Sequence, residues 1–301
     1  MKRLSILLVL FLIFSCASVL KNEEYQITYT FLNNDDRSQS EKSIVVGVLE
    51  RRLKKFTENV SVNLNDSDEI LIRLEKGFDL EAINKIVLDE GKVDFWLCVE
   101  KDQALNSLYT ASTVIQKNTE DNFRFNVSDY NKSKSPDHLL SLALKDTSRV
   151  NLFIKHIEEY LGFDEMFQNT KFLYGLPYNE MVDLYFVETN GREEALVSQR
   201  HIKEAYADYD ALGRPSISIE MNEEGATRWE NITAQAYKQR HHIAVTINDK
   251  VYSAPGVMVP IKTGRSQISS NFSLEEVQIL VAILSGGSEI PQLKFEGMKK
   301  L

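Results

Sequence analysis

Cysteine is scarce in this sequence: Cys16 and Cys98 are the two it has. No internal disulfide can form if Cys16 carries a modification, and Cys98, inside the strand-like run Val93 to Val99, reads as a buried, inert thiol. Histidine is scarce too, at five residues. The adjacent His241-His242 would face opposite sides of a strand, and no Cys or carboxylate completes a ligand set at metal spacing, so no metal site is expected. Basic charge is outweighed: 35 Lys and Arg stand against 44 Asp and Glu, a net charge of −9. That argues against nucleic acid and against an anionic lipid surface as partners; the plain reading of the acidity is solubility. No stretch beyond the N-terminus is apolar enough for a membrane helix. Nucleophile elbow, phosphate loop and acid/base constellation are all missing, so no catalytic residue and no cofactor is expected. Internal repeats are missing as well.

What the N-terminus does have is a leader. Lys2 and Arg3 precede the apolar run Leu4 to Phe14, which is too short to span a bilayer, where roughly 20 residues are needed. Ile13-Phe14-Ser15-Cys16 resembles a bacterial lipobox. Residues 1–15 then form the signal peptide, Cys16 the lipidated mature N-terminus and residues 16–24 a tether; an ordinary cleaved signal is the alternative. Several acyl chains would give a stable anchor where one would not. Ala17-Ser18-Val19-Leu20 carries no acidic export signal, so a lipid-anchored protein of the cell envelope facing the periplasm is expected.

Residues 25–100 show the clearest architecture. Tyr25, Ile27, Tyr29 and Phe31 alternate as a strand. Ser43 is positioned to cap a helix bearing Val45, Val48, Leu49 and Leu53. Val60 to Leu64 and Ile70 to Leu74 flank the turn Asn65-Asp66-Ser67-Asp68. Asp79 caps a second helix that ends at Glu90-Gly91, and Val93 to Val99 is a fourth strand. This βαββαβ order predicts a ferredoxin-like, four-stranded antiparallel sheet with both helices on one face. Arg51-Arg52 offers an anion site; the ordinary alternative is a solvated or ion-paired pair on the outer helix face.

Residues 101–204 are less legible. Ser128 to Pro136 is polar and loop-like, Leu139 to Leu144 and Val150 to Leu161 look helical, Tyr174 to Tyr178 reads as a turn and Met181 to Val187 as a strand.

Residues 205–285 have the strongest local agreement. Ile217, Ile219 and Met221 alternate as a strand. Asn222 caps a helix with Glu223 and Glu224 in its first turn and Trp229, Ile232 and Ala236 on one face, so Trp229 reads as core. His242 to Ile247 is a strand, Asn248-Asp249-Lys250 a turn, Lys250 to Ser253 the return, and Val257 to Ile261 a resumption after Pro255-Gly256. Ser273 and Glu276 form a capping box, and Gly286-Gly287 ends the last helix. Residues 286–301 are expected to return to the first unit. The whole is α+β: a ferredoxin-like base with a second α+β head subdomain.

The run from Ala205 to Gln292 resembles the first large periplasmic domain of the SecD/SecDF protein-export family. The residues that carry the likeness are Glu224, Gly225, Ala226, Trp229, Ile232 and Thr233; then Ile243, Ala244, Val245, Ile247, Asp249, Val251, Ser253, Ala254 and Pro255; then Ile261, Gly264, Ile268, Phe272, Ser273, Glu275, Glu276 and Gly286. Lys250 stands for the turn glycine, Ser270 for the glycine before the phenylalanine, and Val277 for an alanine. A thinner match in the base runs through Val45, Val48, Arg51, Arg52, Leu53, Ile70, Ile72, Gly91, Val93, Asp94 and Phe95. The resemblance places residues 101–204 where the head has variable insertions.

The resemblance implies a head that holds emerging polypeptide and moves relative to the base. With the sequence ending at Leu301, the family's membrane helices and their proton-coupling charges are not part of it, and a proton-driven motor is not expected. Three readings follow: a lipid-anchored binding protein that holds polypeptide or an envelope partner in export or assembly; a scaffold lipoprotein without client binding; and, last, an enzyme with its site hidden in 101–204. Lys250, Tyr252, Lys262 and Arg265, on the head's hairpin and the segment after it, are the candidate partner-binding residues. Exposed strand edges are a further candidate surface.

Overall fold

Alternation builds the first sheet. A computed structural model describes residues 23–32, 37–119, 123–130, 138–162, 164–189, 191, 194–287 and 290–301. The leader, Cys16, the tether to residue 22, most of the expected loop Ser128 to Pro136, and Ser288-Glu289 lie outside them. In β1 (Glu24–Phe31), Ile27 and Tyr29 are fully buried. Helix α1 (Gln39–Phe56) follows, then β2 (Val60–Leu64) and β3 (Ile70–Glu75), whose Ile70, Ile72 and Leu74 point inward. Helix α2 (Leu80–Leu88) packs beside α1, and the Tyr29 hydroxyl reaches it by donating to Asn84 Oδ1 at 2.7 Å. The cap of α1 is Ser38, not Ser43: Ser38 and Glu41 close a capping box, while the Ser43 hydroxyl sits inside the helix and donates to Gln39 O.

The fourth strand of this sheet is not the expected one. The order is β14-β1-β3-β2, where β14 (Leu293–Lys300) pairs antiparallel with β1. Strand β4 (Val93–Leu97) leaves for another sheet, because all five of its residues are buried and need cover on both faces.

The middle of the chain forms α3 (Lys101–Asn118), β5 (Leu140–Ala143), α4 (Thr147–Leu161), α5 (Glu165–Gln168), β6 (Thr170–Gly175) and β7 (Met181–Glu188). Leu139 to Leu144 is thus a strand rather than a helix. Leu140 and Leu142 turn inward while Ser141 and Ala143 are only half-buried, a period of two, and the run pairs with β7. These elements carry their own core, with Phe125 stacked on Phe153 at 4.1 Å.

Then come β8 (Val197–Ser198), β9 (Ile202–Tyr209), β10 (Pro215–Met221), α6 (Glu223–Gln239), β11 (Ile243–Ile247), β12 (Lys250–Ser253), β13 (Arg265–Ser269) and α7 (Leu274–Leu284). A seven-stranded sheet runs β5-β7-β6-β12-β11-β4-β8, and a three-stranded one β13-β10-β9. Val257 to Ile261 forms no strand: Pro255 and Pro260 lack ladder donors, and Ile261 N instead donates to Thr233 Oγ1 of α6 at 2.9 Å. The turn between β11 and β12 has Asn248 and Asp249 in the left-handed region. The residue in the place of the turn glycine is therefore Asp249, and Lys250 already belongs to β12.

Helix α7 holds these parts together. From Ile279 to Leu284 every residue is buried, as is Val277, the pattern of a helix surrounded by protein. It packs on α1 and α2 and on β9 and β10, so the base sheet and the three-stranded sheet share one core.

Candidate functional site

Two glycines and two arginines set the crossings between the base helices and the rest. Arg52 is fully buried. Its guanidinium donates to Ile86 O at 3.2 Å, Asp89 O at 2.5 Å and Glu90 O at 2.9 Å, which are the free carbonyls at and beyond the end of α2. Burial lowers its pKa to about 10, against the pull of Asp89, and it stays a cation at neutral pH. Arg51 donates twice to Gly286 O after α7, at 3.1 and 2.8 Å. Arg52 is thus no solvated charge, while Arg51 is exposed as expected; together they hold the chain where it leaves the base at Asp89–Gly91 and where it returns at Gly286. A Cβ on Gly91 would lie 2.2 Å from Arg52 Nη2, and one on Gly286 2.7 Å from its Nε, so both positions need glycine.

The same economy explains the small residues of α6. A Cβ on Gly225 would sit 2.5 Å from His201 O, and one on Gly264 2.6 Å from the Ala226 Cβ. The first turn of α6 can therefore press against residues 199–201 and the start of β13. His201 is buried there, its Nδ1 accepting from Ser198 N at 2.9 Å and its Nε2 3.6 Å from Glu224.

Between α2, α7, β12 and the β6–β7 connection lies an open groove of 1210 Å³. Its floor includes Tyr252 and Phe272, ring centroids 6.2 Å apart, with Ile279, Leu280 and Ile283 of α7. Its overhang is a tight hairpin. Tyr178 N donates to Met181 O at 2.8 Å and Met181 N to Tyr178 O at 2.9 Å, with Asn179 and Glu180 both left-handed between them. The hairpin carries Leu176, Pro177 and Tyr178 into the groove wall; Leu176 is 44 % and Tyr178 70 % exposed. Large apolar side chains left out of the core on a rigid turn, facing a groove, form a surface suited to a binding partner. The turn lies just past the expected Tyr174 to Tyr178, because Tyr174 and Gly175 still belong to β6.

Acidic groups rim the groove: Glu81, Asp89, Asp183 and Glu276 line it, and Lys85 is the cation among its described lining residues. Lys85 Nζ is 2.9 Å from Glu81, and its pKa is raised first by that bond. Burial, then the charges of Asp89 and Glu276, push the Tyr252 phenol up.

The four candidate residues do not converge. Tyr252 lines the groove. Lys250 is exposed at the start of the same strand, its Nζ 5.7 Å from the Tyr174 ring centroid. Lys262 faces Glu230 of α6 at 3.6 Å and Arg265 faces Glu220 of β10 at 3.4 Å, and neither lines the groove. Leu176, Tyr178, Leu88 and Glu276 line it instead; large apolar residues beside Pro177-Tyr178-Asn179 were the signal in the sequence. Trp229 is in the core, edge-on to Phe95 at 5.1 Å, and the Cys98 thiol is buried. His242 Nδ1 is bonded to Ala254 O, and among the described residues no group of His, Cys, Asp and Glu is placed to hold a metal. Among them, too, no helix is long and apolar enough to cross a membrane.

Residues 182–289 match the family described as SecDF, P1 head subdomain. Over 97 residues the chain is 37 % identical to protein translocase subunit SecD of Rhodothermus marinus, covering 32 % of this chain and 15 % of that protein. Over 87 residues it is 34 % identical to the Sebaldella termitidis SecD, covering 29 % and 21 %. The matched stretches thus span a minor part of those relatives' length. A crystal structure of SecDF in its super-membrane-facing form superposes with a TM-score of 0.55 at 16 % identity, over 93 % of this chain and 31 % of that one. A second SecDF structure, of a membrane component that enhances protein export, gives 0.50 at 17 % identity over 90 % and 98 %. At such identities the likeness is one of fold, and it extends beyond the head to nearly the whole described chain. Residues 182–289 of this chain are thus similar to a SecDF P1 head subdomain, and the fold of the chain as a whole is like that of SecDF.

Proposed function

We propose that this chain is a non-catalytic, lipid-anchored protein of the cell envelope that holds polypeptide during protein export. The observation that carries the reading is the groove: 1210 Å³, open, walled by exposed Leu176 and Tyr178 and floored by Tyr252 and Phe272. Its volume exceeds the roughly 300–1,000 Å³ of small-molecule sites, and its wall is a hairpin carried on a sheet, as suits a segment of chain. The likeness to translocase subunits supports export as the setting. Anchoring rests on the Ile13-Phe14-Ser15-Cys16 sequence, and labelled fatty acid incorporated into the wild type but not into Cys16→Ser tests it.

The test of holding is aggregation of a chemically unfolded client, followed by light scattering. The chain should delay it at stoichiometric amounts. Leu176→Ser with Tyr178→Ser, both exposed and cheap to the fold, should abolish the delay. No delay by the wild type would favour a scaffold that reuses the domain without client binding.

A further inference from the structure

The acidic rim gives the groove a preference that its apolar floor alone would not. Resting on the reading of the groove as a polypeptide site, we infer that it selects extended segments in which basic side chains are interspersed with apolar ones. Glu276 stands in the first turn of α7 beside Phe272; its Oε2 accepts from Ser273 N at 2.7 Å, and among the described residues its Oε1 takes no further bond. Asp89 stands across the groove at the end of α2, where its Oδ1 accepts from Gly91 N at 2.7 Å. Asp183, on β7, receives the Ser141 hydroxyl at 2.5 Å. Asp183 also stands 3.6 Å from His138 Nε2, whereas Asp89 and Glu276 are bonded to neutral donors, apart from the share of Asp89 taken by buried Arg52, so these two keep most of their charge for an occupant. Lys85, the cation among the described lining residues, is engaged by Glu81. A leucine or phenylalanine can reach the floor at Tyr252 and Phe272 while a neighbouring lysine or arginine meets Asp89 or Glu276 at the rim. An acidic segment would bring like charge to the same rim.

Two fluorescein-labelled peptides of about 14 residues test this, identical at their Leu and Phe positions, with Lys between them in one and Glu in the other. By anisotropy with the full chain, the Lys peptide should bind about tenfold tighter at about 20 mM salt, the gap narrowing to about twofold near 500 mM. Because the whole chain is acidic, location is tested with Asp89→Asn plus Glu276→Gln. These amides keep the bonds from Gly91 N and Ser273 N while removing charge, and the preference should shrink to about twofold at low salt. Equal binding of the two peptides, or a preference untouched in that double variant, overturns the inference while leaving the groove as a polypeptide site. If neither peptide binds, the groove reading fails first. Tyr178→Ser should weaken both peptides alike and leave their ratio unchanged.

Discussion

Replacing Arg52 with Ala should be among the most destabilising single changes in the chain. The side chain is 0 % exposed and its guanidinium serves three carbonyls, at residues 86, 89 and 90. A hydrogen bond to a charged group is worth about 1.5–3 kcal/mol, and a buried carbonyl left without a donor costs about 1–3 kcal/mol. Some of the three would find water at the chain crossing, so a total of about 4 kcal/mol is expected, in the range for breaking a buried charged network. With a urea m-value of about 3 kcal/mol/M the midpoint falls by roughly 1.3 M. The fluorescence of the buried Trp96 and Trp229 follows the transition. Arg52→Lys keeps the charge but not the fork and should recover less than half. Gly286→Ala supplies the second arm. With Arg52 in place, the added Cβ meets Arg52 Nε at 2.7 Å and Val48 Cγ1 at 3.0 Å; with Ala at position 52 most of that clash is gone. The double variant should therefore be more stable than the sum of the single losses predicts, by about 1–2 kcal/mol. A loss under about 1 kcal/mol for Arg52→Ala, or strict additivity, would refute the assignment of Arg52 as the clamp of this crossing.

Gly264→Ala places a Cβ 2.6 Å from that of Ala226 at a φ of +64°, and should lower stability by about 2–4 kcal/mol in the same urea assay. Glu180→Gly relieves a left-handed glutamate at φ 61° in the β6–β7 hairpin and should raise stability by about 0.5–1 kcal/mol while leaving client holding intact. His201 has its pKa lowered by burial first, then by Arg228 and Arg200, with Glu224 opposing. A group depressed in the folded state is protonated more readily when unfolded, so its contribution is full above about pH 6.5 and is lost as pH falls through the folded value. The urea midpoint should drop between about pH 7 and pH 5, and His201→Gln should flatten that slope. His241, also lowered chiefly by burial, adds to the same window, so flattening should be partial.

Local chemistry was legible where the chain obeys local rules. Asp79, Asn222 and Ser273 cap their helices as their side chains suggest, and the alternation in β1, β3 and β10 gives the buried faces directly. The pairing of strands was not legible. Val93 to Leu97 has the same apolar content whether it closes the base sheet or sits in the middle of the seven-stranded one, and only its burial on both faces, through Asp94 and Trp96 as well as Phe95, marks the difference. Leu140-Ser141-Leu142 is too short to separate a period of two from a helical one. Arg52 looked like surface charge, as Arg51 is, because arginine usually is; the acceptors of both are backbone carbonyls 34 to 235 residues away, which have no signature in a sequence. The groove was missed for a related reason. Tyr252 and Phe272 were visible as aromatics, but the wall at Leu176 and Tyr178 comes from a connection with few helix or strand signals, and its meeting with α2 and α7 is a product of topology.

The groove is the central claim, and site-specific photocrosslinking in intact cells addresses it most directly. A photoreactive residue at Tyr178 should capture many unrelated secreted chains, and one at Lys262, which faces Glu230 away from the groove, should capture few. A single folded envelope partner captured from both positions, with no secreted chains from Tyr178, would contradict the account.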